Sequence, residues 1–277
     1  MVRGKNPRVS VIIPALNEAQ NLPHVFAALP SDVFEVILVD GRSVDGTPEV
    51  ARQLRPDIEI VRQTRRGKGN ALACGFAHAS GDVIVMIDAD TSTNPAEIPA
   101  FVQALVDGAD FAKGSRFAPG GGSEDITRFR ALGNSVLGHI VNVLYRTRFT
   151  DLCYGYNAFW RNCLSTFDLD PGQASDDEAD RQWGDGFEIE TVINLRAAVG
   201  ALRIAEVPSV EQERLYGVSN LNAFRDGIRV VRTILAERRR KPVSAPIRLV
   251  SEQPQVLDLV HAGRRAEPVQ ATAEGWL

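Results

Sequence analysis

The stretch "DVIVMIDADTSTNPAEIPAFVQALV", residues 82–106, contains the alternation that decides the fold. It opens with a continuous run of Val, Ile and Met, turns polar at Asp88 and Asp90, and resumes after Asn94-Pro95 with apolar residues at helical spacing. A continuous apolar run of this length is typical of a strand buried on both faces. A capping Asn followed by Pro is typical of a helix start. The stretch therefore predicts a buried strand that ends in two carboxylates and leads into a helix.

The same alternation recurs through the first half of the chain. It predicts strands over 9–16, 35–40, 58–63, 82–88 and 109–115, and helices near 20–29, 47–54, 68–79 and 95–106. We expect Thr47 to cap the second helix, because Pro48 follows it. Strand and helix in repetition predict an α/β fold with a central, mostly parallel sheet flanked by helices, and ligands at the carboxyl ends of the strands. Asp40 and the Asp88/Asp90 pair stand at such ends.

The second half of the chain is less regular. It predicts helices over 128–147 and 186–198, a strand over 201–207, and a mobile acidic loop over 168–186. From Leu221 onward, apolar residues recur at helical spacing among several arginines, and after Lys241 the composition becomes polar. We therefore expect three parts: a catalytic domain over 1–215, a basic amphipathic helix over 216–242 packed on or beside it, and a disordered tail over 243–277.

Composition excludes several classes of protein. The formal charge of -4 and the pI near 5.7 argue against a nucleic-acid binder, which would usually be basic. Three cysteines without CxxC spacing indicate neither a disulfide framework nor a zinc site. The N-terminus lacks a signal-peptide pattern and no 18 apolar residues run together, so we expect a chain that is neither secreted nor membrane-spanning. A cytoplasmic location follows from this interpretation.

Asp88 and Asp90 are candidates for a metal site. Two carboxylates at i and i+2, where a strand breaks into a turn, can converge on one hard divalent cation. Oxygen ligands without a neighbouring His or Cys favour Mg²⁺ or Mn²⁺ over zinc. The alternative for an isolated D-x-D is a helix cap or a solvated turn.

Four segments together carry a family resemblance. "VSVIIPALNEAQNLP", "VILVDGRSVDGT", "GKGNALACGFAHASGDVIVMIDAD" and "KGSRF", in this order and spacing, resemble the family 2 glycosyltransferases of GT-A fold, the Rossmann-like fold of nucleotide-diphospho-sugar transferases. The resemblance covers about residues 8–240. Within that family, "DLCYGYNAFW", "GFEIE" and "RLYGVSNL" are most similar to the dolichyl- and polyprenyl-phosphate sugar synthases.

The resemblance implies roles for the donor-side residues. Asp88 and Asp90 would hold the metal that bridges the nucleotide diphosphate, and Asp40 would bind the base. The nucleotide pocket would be lined by Pro14, Ala15, Asn17 and Glu18. Gly41 and Arg42 stand where the family usually has Asp and Gly, which is a departure at the base and ribose contacts.

Lys68 lies between two glycines just before a predicted helix. That setting suits a cationic contact with a phosphate at a helix N-terminus. A plain helix start with a solvated lysine is the alternative.

The resemblance implies a metal-dependent inverting transfer of a hexose from a UDP- or GDP-sugar, and two acceptor classes remain open. A hydroxyl acceptor needs a carboxylate to take its proton, for which Glu188 and Glu190 are the candidates. A lipid monophosphate is largely ionised at about pH 7 and needs no strong base. We favour a polyprenyl-phosphate acceptor; the alternatives are a hydroxyl of a soluble metabolite or glycan, and a non-catalytic nucleotide-sugar-binding protein.

A phosphate acceptor requires cations, and several basic residues fall near the stretches that engage acceptor phosphate in the prenyl-phosphate synthases. These candidates are Arg116, Arg128, Arg130 and Arg214, with Ser219 beside them. Val218 and Asn220 replace the Glu and Lys usual in those enzymes, and residues 118–128 are expected to form a flexible acceptor loop.

The last helix has two interpretations. An apolar stripe with arginines around it can lie on an anionic membrane surface, which would make the protein peripheral at the inner face of the membrane. The same stripe can instead pack on the protein's own domain. The sugar, the nucleotide and the oligomeric state are left open by the sequence.

Overall fold

A seven-stranded sheet forms the centre of the protein in the computed structural model, which describes residues 5–173, 182–217 and 223–239. The strand order is β3-β2-β1-β4-β7-β5-β8. The sheet strands are β1 Val9–Ala15, β2 Glu35–Asp40, β3 Glu59–Arg62, β4 Val83–Met86, β5 Phe111–Ser115, β7 Asn157–Trp160 and β8 Ile204–Pro208. A small second pair joins β6 Gly122–Ser123 to β9 Val210–Glu211.

Helices cover the sheet on both faces and extend its far edge. They are α1 Leu22–Ala27, α2 Thr47–Leu54, α3 Lys68–His78, α4 Ile98–Val106, α5 Arg128–Tyr145, α6 Leu164–Phe167, α7 Ile189–Val199 and α8 Ala223–Arg238. Short 3₁₀ turns precede α4 at Pro95–Glu97 and α6 at Arg161–Cys163. The prediction of an α/β fold with a mostly parallel sheet flanked by helices is confirmed.

The order of the strands fixes the position of the cleft. From β1 the chain builds outward through β2 to β3, and then returns to place β4 on the other side of β1. In parallel sheets ligands bind outside the carboxyl ends of the strands where the winding direction reverses, which here is between β1 and β4. Asp88 follows β4 by two residues, so the predicted acidic pair lies at that point.

β7 is the strand of the seven-stranded sheet that the sequence does not predict. Residues 157–160 pair antiparallel with both β4 and β5, between two strands that are parallel to each other. All four residues are buried. The segment is only four residues long and opens with Asn157, so neither length nor periodicity marks it as a strand.

The two predicted helix caps have different outcomes. The side chain of Asn94 accepts a hydrogen bond from the N–H of Ala96 at 3.0 Å, which confirms it as a cap. The prediction for Thr47 is wrong, because Thr47 is the first residue of α2 and its hydroxyl donates to the carboxylate of Asp45. Gly46 occupies the capping position.

A second, smaller apolar cluster joins the C-terminal helix to the rest of the protein. It is formed where α5, α7 and α8 meet, around Val141, Leu195 and Ile234. The hydroxyl of Tyr145 donates to the carbonyl of Ile234 at 2.6 Å, and Arg196 pairs with Glu237 at 3.0 Å. One face of α8 therefore packs on the domain, and the division into 1–215 and 216–242 stays a prediction.

Some of the predictions concern residues that the structure does not describe. The predicted tail over 243–277 and the centre of the predicted loop over 168–186 lie outside the described residues, as does Ser219. Among the described helices, none combines the length and the hydropathy needed to span a bilayer.

Gly75 offers a test of how α3 packs on the sheet. A Cβ at this position would lie 2.4 Å from Cγ2 of Ile12 and 2.9 Å from Cγ2 of Val39. We expect Gly75→Ala to lower the free energy of unfolding by about 1–3 kcal/mol, because overpacking outweighs the helix propensity of alanine. The matched control is Gly133→Ala in α5, which has no atom within 4 Å of the added Cβ and should stabilise the protein slightly. Urea denaturation measures both, and equal effects would contradict this account of the packing.

Candidate active site

A cleft of about 1200 Å³ opens at the carboxyl ends of β1, β2 and β4. Its donor side is lined by Pro14, Ala15, Leu16, Glu18, Gly41, Gln63, Lys68, Asp88 and Asp90. Its other side extends along α5 and α8. Cavities that hold one drug-sized ligand usually measure roughly 300–1,000 Å³, so this cleft has room for two substrates.

Lys68, the first residue of α3, joins two carboxylates at the floor of the cleft. Its Nζ lies 2.5 Å from Oδ1 of Asp88 and 2.7 Å from Oε1 of Glu190. Burial disfavours the charged lysine, but the two carboxylates outweigh this and raise the pKa of Lys68. Burial also raises the pKa of Glu190, and Lys68 opposes that shift. The lysine is therefore held protonated between two acidic groups that come from β4 and α7.

Gly155 makes room for this group of three side chains, which we call the Lys68 triad. A Cβ at residue 155 would lie 3.1 Å from Nζ of Lys68, 3.2 Å from Oε1 of Glu190 and 3.5 Å from Oδ2 of Asp88. The backbone just before β7 thus passes directly against the triad, and a larger residue would crowd it.

Asp90 is paired with a second cation. Arg214 donates to one oxygen of Asp90, while the N–H and hydroxyl of Ser92 donate to the other at 3.1 and 2.6 Å. Burial raises the pKa of Glu18 nearby, and the charges of Asp90 and Asp88 add to that shift. Three carboxylates therefore share this end of the cleft.

The predicted metal pair fits a hard divalent cation in its chemistry. Asp88 and Asp90 both line the cleft and offer carboxylate oxygens, which Mg²⁺ and Mn²⁺ prefer. Among the described residues no group of three or more acidic, histidine or cysteine side chains is arranged to hold a metal alone. A substrate diphosphate would have to complete the coordination. Within the protein, Lys68 pairs with Asp88 and Arg214 pairs with Asp90.

A buried ion pair, which we call the Arg65 clamp, holds the loop before α3 against the segment before α7. The guanidinium of Arg65 donates from Nε and Nη2 to the two carboxylate oxygens of Asp185, each at 2.9 Å. Both side chains are 5% exposed. The N–H of Gly69 donates to the carbonyl of Asp185 at 2.9 Å. The clamp therefore fixes Lys68 and Glu190 relative to each other.

Arg65 also fixes the described start of the predicted loop over 168–186. Its guanidinium donates to the carbonyls of Asp170 and Pro171 at 3.0 and 3.2 Å. The amide of Asn70 donates to the same carbonyl of Pro171 at 3.1 Å. Both described ends of this loop are thus held by hydrogen bonds, and its mobility stays a prediction.

The predicted acceptor-side arginines fall in different settings. Arg116 lies at the cleft wall, but its donors are taken by Asp151 at 2.7 and 3.0 Å and by Glu211 at 3.0 and 3.1 Å. These pairs outweigh burial and raise the pKa of Arg116. Arg130 lines the cleft and pairs with Asp125 at 3.2 Å. Arg128 is exposed at the start of α5 and does not line the cleft.

Glu211 connects Arg116 to the predicted acceptor loop. The hydroxyl of Ser123 donates to Glu211, and the N–H of Ile126 donates to that hydroxyl at 2.9 Å. The β6–β9 pairing adds backbone bonds at the same place. The described loop is therefore tied to the wall of the cleft through Glu211 and Arg116.

Three predicted residues hold structure beside the cleft without lining it. Asp40 accepts from the N–H groups of Arg42 and Ser43, each at 3.1 Å, and Asn17 accepts from the N–H of Val44 at 2.9 Å. Glu188 accepts from the N–H of Gly186 at 3.3 Å, and its Oε2 is buried without a partner among the described residues. Of the two candidate bases, it is Glu190 that faces the cleft.

Sequence reasoning missed four residues of the site: Gln63, Arg65, Gly155 and Asp185. Arg65 and Asp185 lie 120 positions apart, and only the folded chain brings them together. The glycine in "YGY" was a signal for close backbone approach that the motif analysis did not use.

Comparison with known proteins identifies the relatives of the chain. The family profile described as "Glycosyl transferase family 2" matches residues 10–165. A dolichol-phosphate mannosyltransferase of Pyrococcus furiosus is 34% identical over 174 residues, which are 59% of this chain and 49% of that protein, so the chain spans about half of its length. An undecaprenyl-phosphate mannosyltransferase of Micrococcus luteus is 32% identical over 78% of this chain and 88% of the relative.

Solved structures show the same fold. Glucosyl-3-phosphoglycerate synthase of Mycobacterium tuberculosis, crystallised with Mn²⁺, UDP and glucosyl-3-phosphoglycerate, superposes with a TM-score of 0.62. The match covers 84% of this chain and 80% of the other at 21% sequence identity. The prediction of a GT-A fold is confirmed by this likeness.

The Arg65 clamp predicts a large effect on stability. Arg65→Met leaves Asp185 buried without its partner, and we expect a loss of about 3–5 kcal/mol in the free energy of unfolding. Arg65→Met with Asp185→Leu should recover a large part of that loss, because no charge remains buried. The control is Arg55→Met, whose partner Asp57 is 70% exposed, with an expected effect of about 0–1 kcal/mol. Urea denaturation that gives Arg65→Met and Arg55→Met the same stability would refute the clamp.

Proposed function

The chain belongs to glycosyl transferase family 2, and we propose that it transfers a hexose from a UDP- or GDP-sugar to a polyprenyl phosphate, with Mg²⁺ or Mn²⁺ and inversion at the anomeric carbon. The observation that carries this proposal is the shape of the cleft. The carboxylate-lined donor side continues without a break into an apolar groove between α5 and α8. A donor with two phosphates and an acceptor with a hydrocarbon chain would meet at that junction.

The apolar groove supports a lipid acceptor. It is lined on the α5 side by Phe129, Leu132 and Val136, and on the α8 side by Ile228 and Val231. Phe129 is 70% exposed and Leu132 is 64% exposed, which is unusual for large apolar side chains that face no partner. A prenyl chain would cover this surface. A small hydrophilic acceptor would leave it open to water.

The donor side supports binding of a nucleotide diphosphate. Asp88 and Asp90 are the residues that would hold the metal, and the metal would act as a Lewis acid toward the departing diphosphate. Binding there replaces the lysine and arginine that neutralise the aspartates in the free protein. Lys68 and Arg214 are then placed to pair with phosphate oxygens, because both already lie at the cleft wall.

The acceptor side supports a phosphate nucleophile. A phosphate monoester is largely ionised at neutral pH, so the chain needs to orient it and not to deprotonate it. Arg116, Arg130 and Arg214 all line the cleft. The planar guanidinium fork suits phosphate oxygens.

A hydroxyl acceptor is the second candidate, and Glu190 is the observation that favours it. This carboxylate faces the cleft and burial raises its pKa, as in many general bases. Its oxygen is, however, already paired with the protonated Lys68 at 2.7 Å. A base that is bound to an ammonium group is a weak proton acceptor, so the phosphate acceptor is the better supported of the two.

Peripheral contact with a membrane follows from the same surface. Val143 of α5 and Leu235 of α8 extend the exposed apolar stripe beyond the groove, at 65% and 54% exposure. Exposed arginines flank the stripe at Arg146, Arg232 and Arg238. Apolar residues rimmed by cations are suited to an anionic lipid surface, where a prenyl phosphate would be found.

An acceptor assay tests the proposed function. Purified protein with Mn²⁺ and a panel of UDP- and GDP-hexoses is offered undecaprenyl phosphate, undecaprenol or 3-phosphoglycerate. We expect transfer to undecaprenyl phosphate alone, and a loss of roughly 100-fold or more in kcat/KM for Asp90→Asn. Asp107→Asn, an exposed carboxylate at the end of α4, is the control. Transfer to undecaprenol, or unchanged activity of Asp90→Asn, would reject the proposal.

A vesicle assay tests the membrane contact. We expect the protein to sediment with vesicles of anionic phosphatidylglycerol but not with vesicles of neutral phosphatidylcholine. Val143→Glu with Leu235→Glu should abolish sedimentation, because two carboxylates are placed in the apolar stripe. Val44→Glu, which changes a residue that is 90% exposed in the loop after β2, should have no effect. If the double variant sediments as well as Val44→Glu, the stripe is not the contact surface.

A further inference from the structure

We propose that Gln63 reads the hydrogen-bonding edge of the donor's nucleobase and so sets which nucleotide the protein accepts. This inference rests on the proposed function only in that the donor is a nucleotide. It requires neither the lipid acceptor nor the sugar. Three features of the residue support it: its place in the sheet, its burial without a partner, and the chemistry of its amide.

Gln63 continues the edge of the sheet that faces the cleft. Asp40 and Arg62 are paired at the ends of β2 and β3, and one residue further the N–H of Gln63 donates to the carbonyl of Asp40 at 3.1 Å. The N–H of Gly41 donates in the same way to the carbonyl of Ala15 at 2.7 Å. These two bonds continue the pairing of β1, β2 and β3 by one residue beyond their carboxyl ends. Gln63 lies in this continuation, and its polar side chain lines the cleft.

The side chain of Gln63 is largely buried but has no hydrogen-bond partner among the described residues. The residue is only 6% exposed, and its amide makes no hydrogen bond with any of the described residues. The next two residues do have hydrogen-bond partners. The hydroxyl of Thr64 and the N–H of Arg65 both donate to the side-chain oxygen of Asn70. The exposed part of the residue Gln63 lies at the cleft, so its amide keeps donor and acceptor capacity that the protein does not use. The amide borders the cleft, so a ligand in the cleft can satisfy it.

The order of strands indicates which part of the ligand reaches Gln63. The diphosphate belongs at Asp88 and Asp90 after β4, and the acceptor groove continues from there toward α5 and α8. The rest of the donor must then extend the other way, over β1 toward β2 and β3. That direction leads to the end where Gln63 lies together with Leu16, an apolar side chain that is 47% exposed and can cover the face of a base.

The chemistry of the amide matches a base edge. Its Nε2 donates and its Oε1 accepts, side by side, so it complements a carbonyl next to a ring N–H. Uracil presents such an edge at O4 and N3–H, and guanine at O6 and N1–H. Asp40, the residue first expected to do this, already accepts two backbone N–H groups within its own turn. Gln63 is the adjacent polar group whose hydrogen-bonding capacity is still open.

Binding of free nucleotides tests this inference without any acceptor. The affinities of UDP, GDP, ADP and CDP are measured by titration calorimetry with Mn²⁺ for the wild type, Gln63→Met and Gln63→Glu. We expect the wild type to prefer UDP or GDP. Gln63→Met should weaken the preferred nucleotide by about 10- to 100-fold and bring the four affinities within a few-fold of each other. Gln53→Met, an exposed glutamine on α2, is the matched control and should leave the preference unchanged.

Gln63→Glu gives a result that depends on the base. A carboxylate faces the O4 lone pairs of uracil and should weaken UDP, whereas guanine offers N1–H and the N2 amino group and should keep or gain affinity. If Gln63→Met does not fold, Gln63→Asn, which keeps the amide but shortens its reach, takes its place. Equal weakening of all four nucleotides, or an intact preference in both variants, overturns the inference. If the wild type binds none of the four nucleotides, both the role of Gln63 and the proposed nucleotide-sugar donor are rejected. If only the transfer to a lipid phosphate fails, the role of Gln63 is unaffected.

Discussion

The pairing of Lys68 with Asp88 and Glu190 is the interaction on which the site depends. It brings together the start of α3, the turn after β4 and the start of α7. Burial alone disfavours the charge of Lys68 and the charge of Glu190, and each of these two groups stabilises the charge of the other. Gly155 leaves room for the three side chains, and the Arg65 clamp holds the loop before α3 against the segment before α7.

The donor side balances its aspartates with cations of the chain itself. Lys68 pairs with Asp88, and Arg214 pairs with Asp90. Charged side chains that are already in position need little rearrangement when a substrate binds. A site built in this way stabilises the charge that develops in the transition state without a large free-energy cost of reorganisation. Both cations also line the cleft.

Much of the fold could be predicted because its signals are local. The apolar runs of β1, β2 and β4 and the Asn94-Pro95 helix start depend on neighbouring residues only, and the structure agrees with them. Asp88, Asp90 and Lys68 could be found because they stand at the ends of such elements. β7 could not, since a short strand that opens with asparagine is recognised only by the two strands it joins.

The parts of the site that sequence reasoning missed depend on distant partners. The sequence does not reveal that Asp151 and Glu211 surround Arg116, so these ion pairs are seen only in the fold. It also does not reveal that Asp40 accepts from the N–H of Arg42, because that bond needs the left-handed backbone conformation of Arg42, with φ of 72°. The phosphate and base roles expected for Arg116 and Asp40 stay predictions. The sequence does not show which of Glu188 and Glu190 faces the cleft. The orientation of the first turn of α7 decides this, and it places Glu190 in the cleft lining.

The position of β7 has a consequence for how the sheet is completed. Strands β4 and β5 follow one another in the chain but never touch, because residues 157–160 lie between them in the sheet. β4 and β5 therefore belong to one sheet only through residues that lie well beyond both of them in sequence. The described N-terminal half of the chain, which carries the acidic pair, contains no strand that links β4 to β5, so a continuous sheet behind the cleft requires the C-terminal half as well.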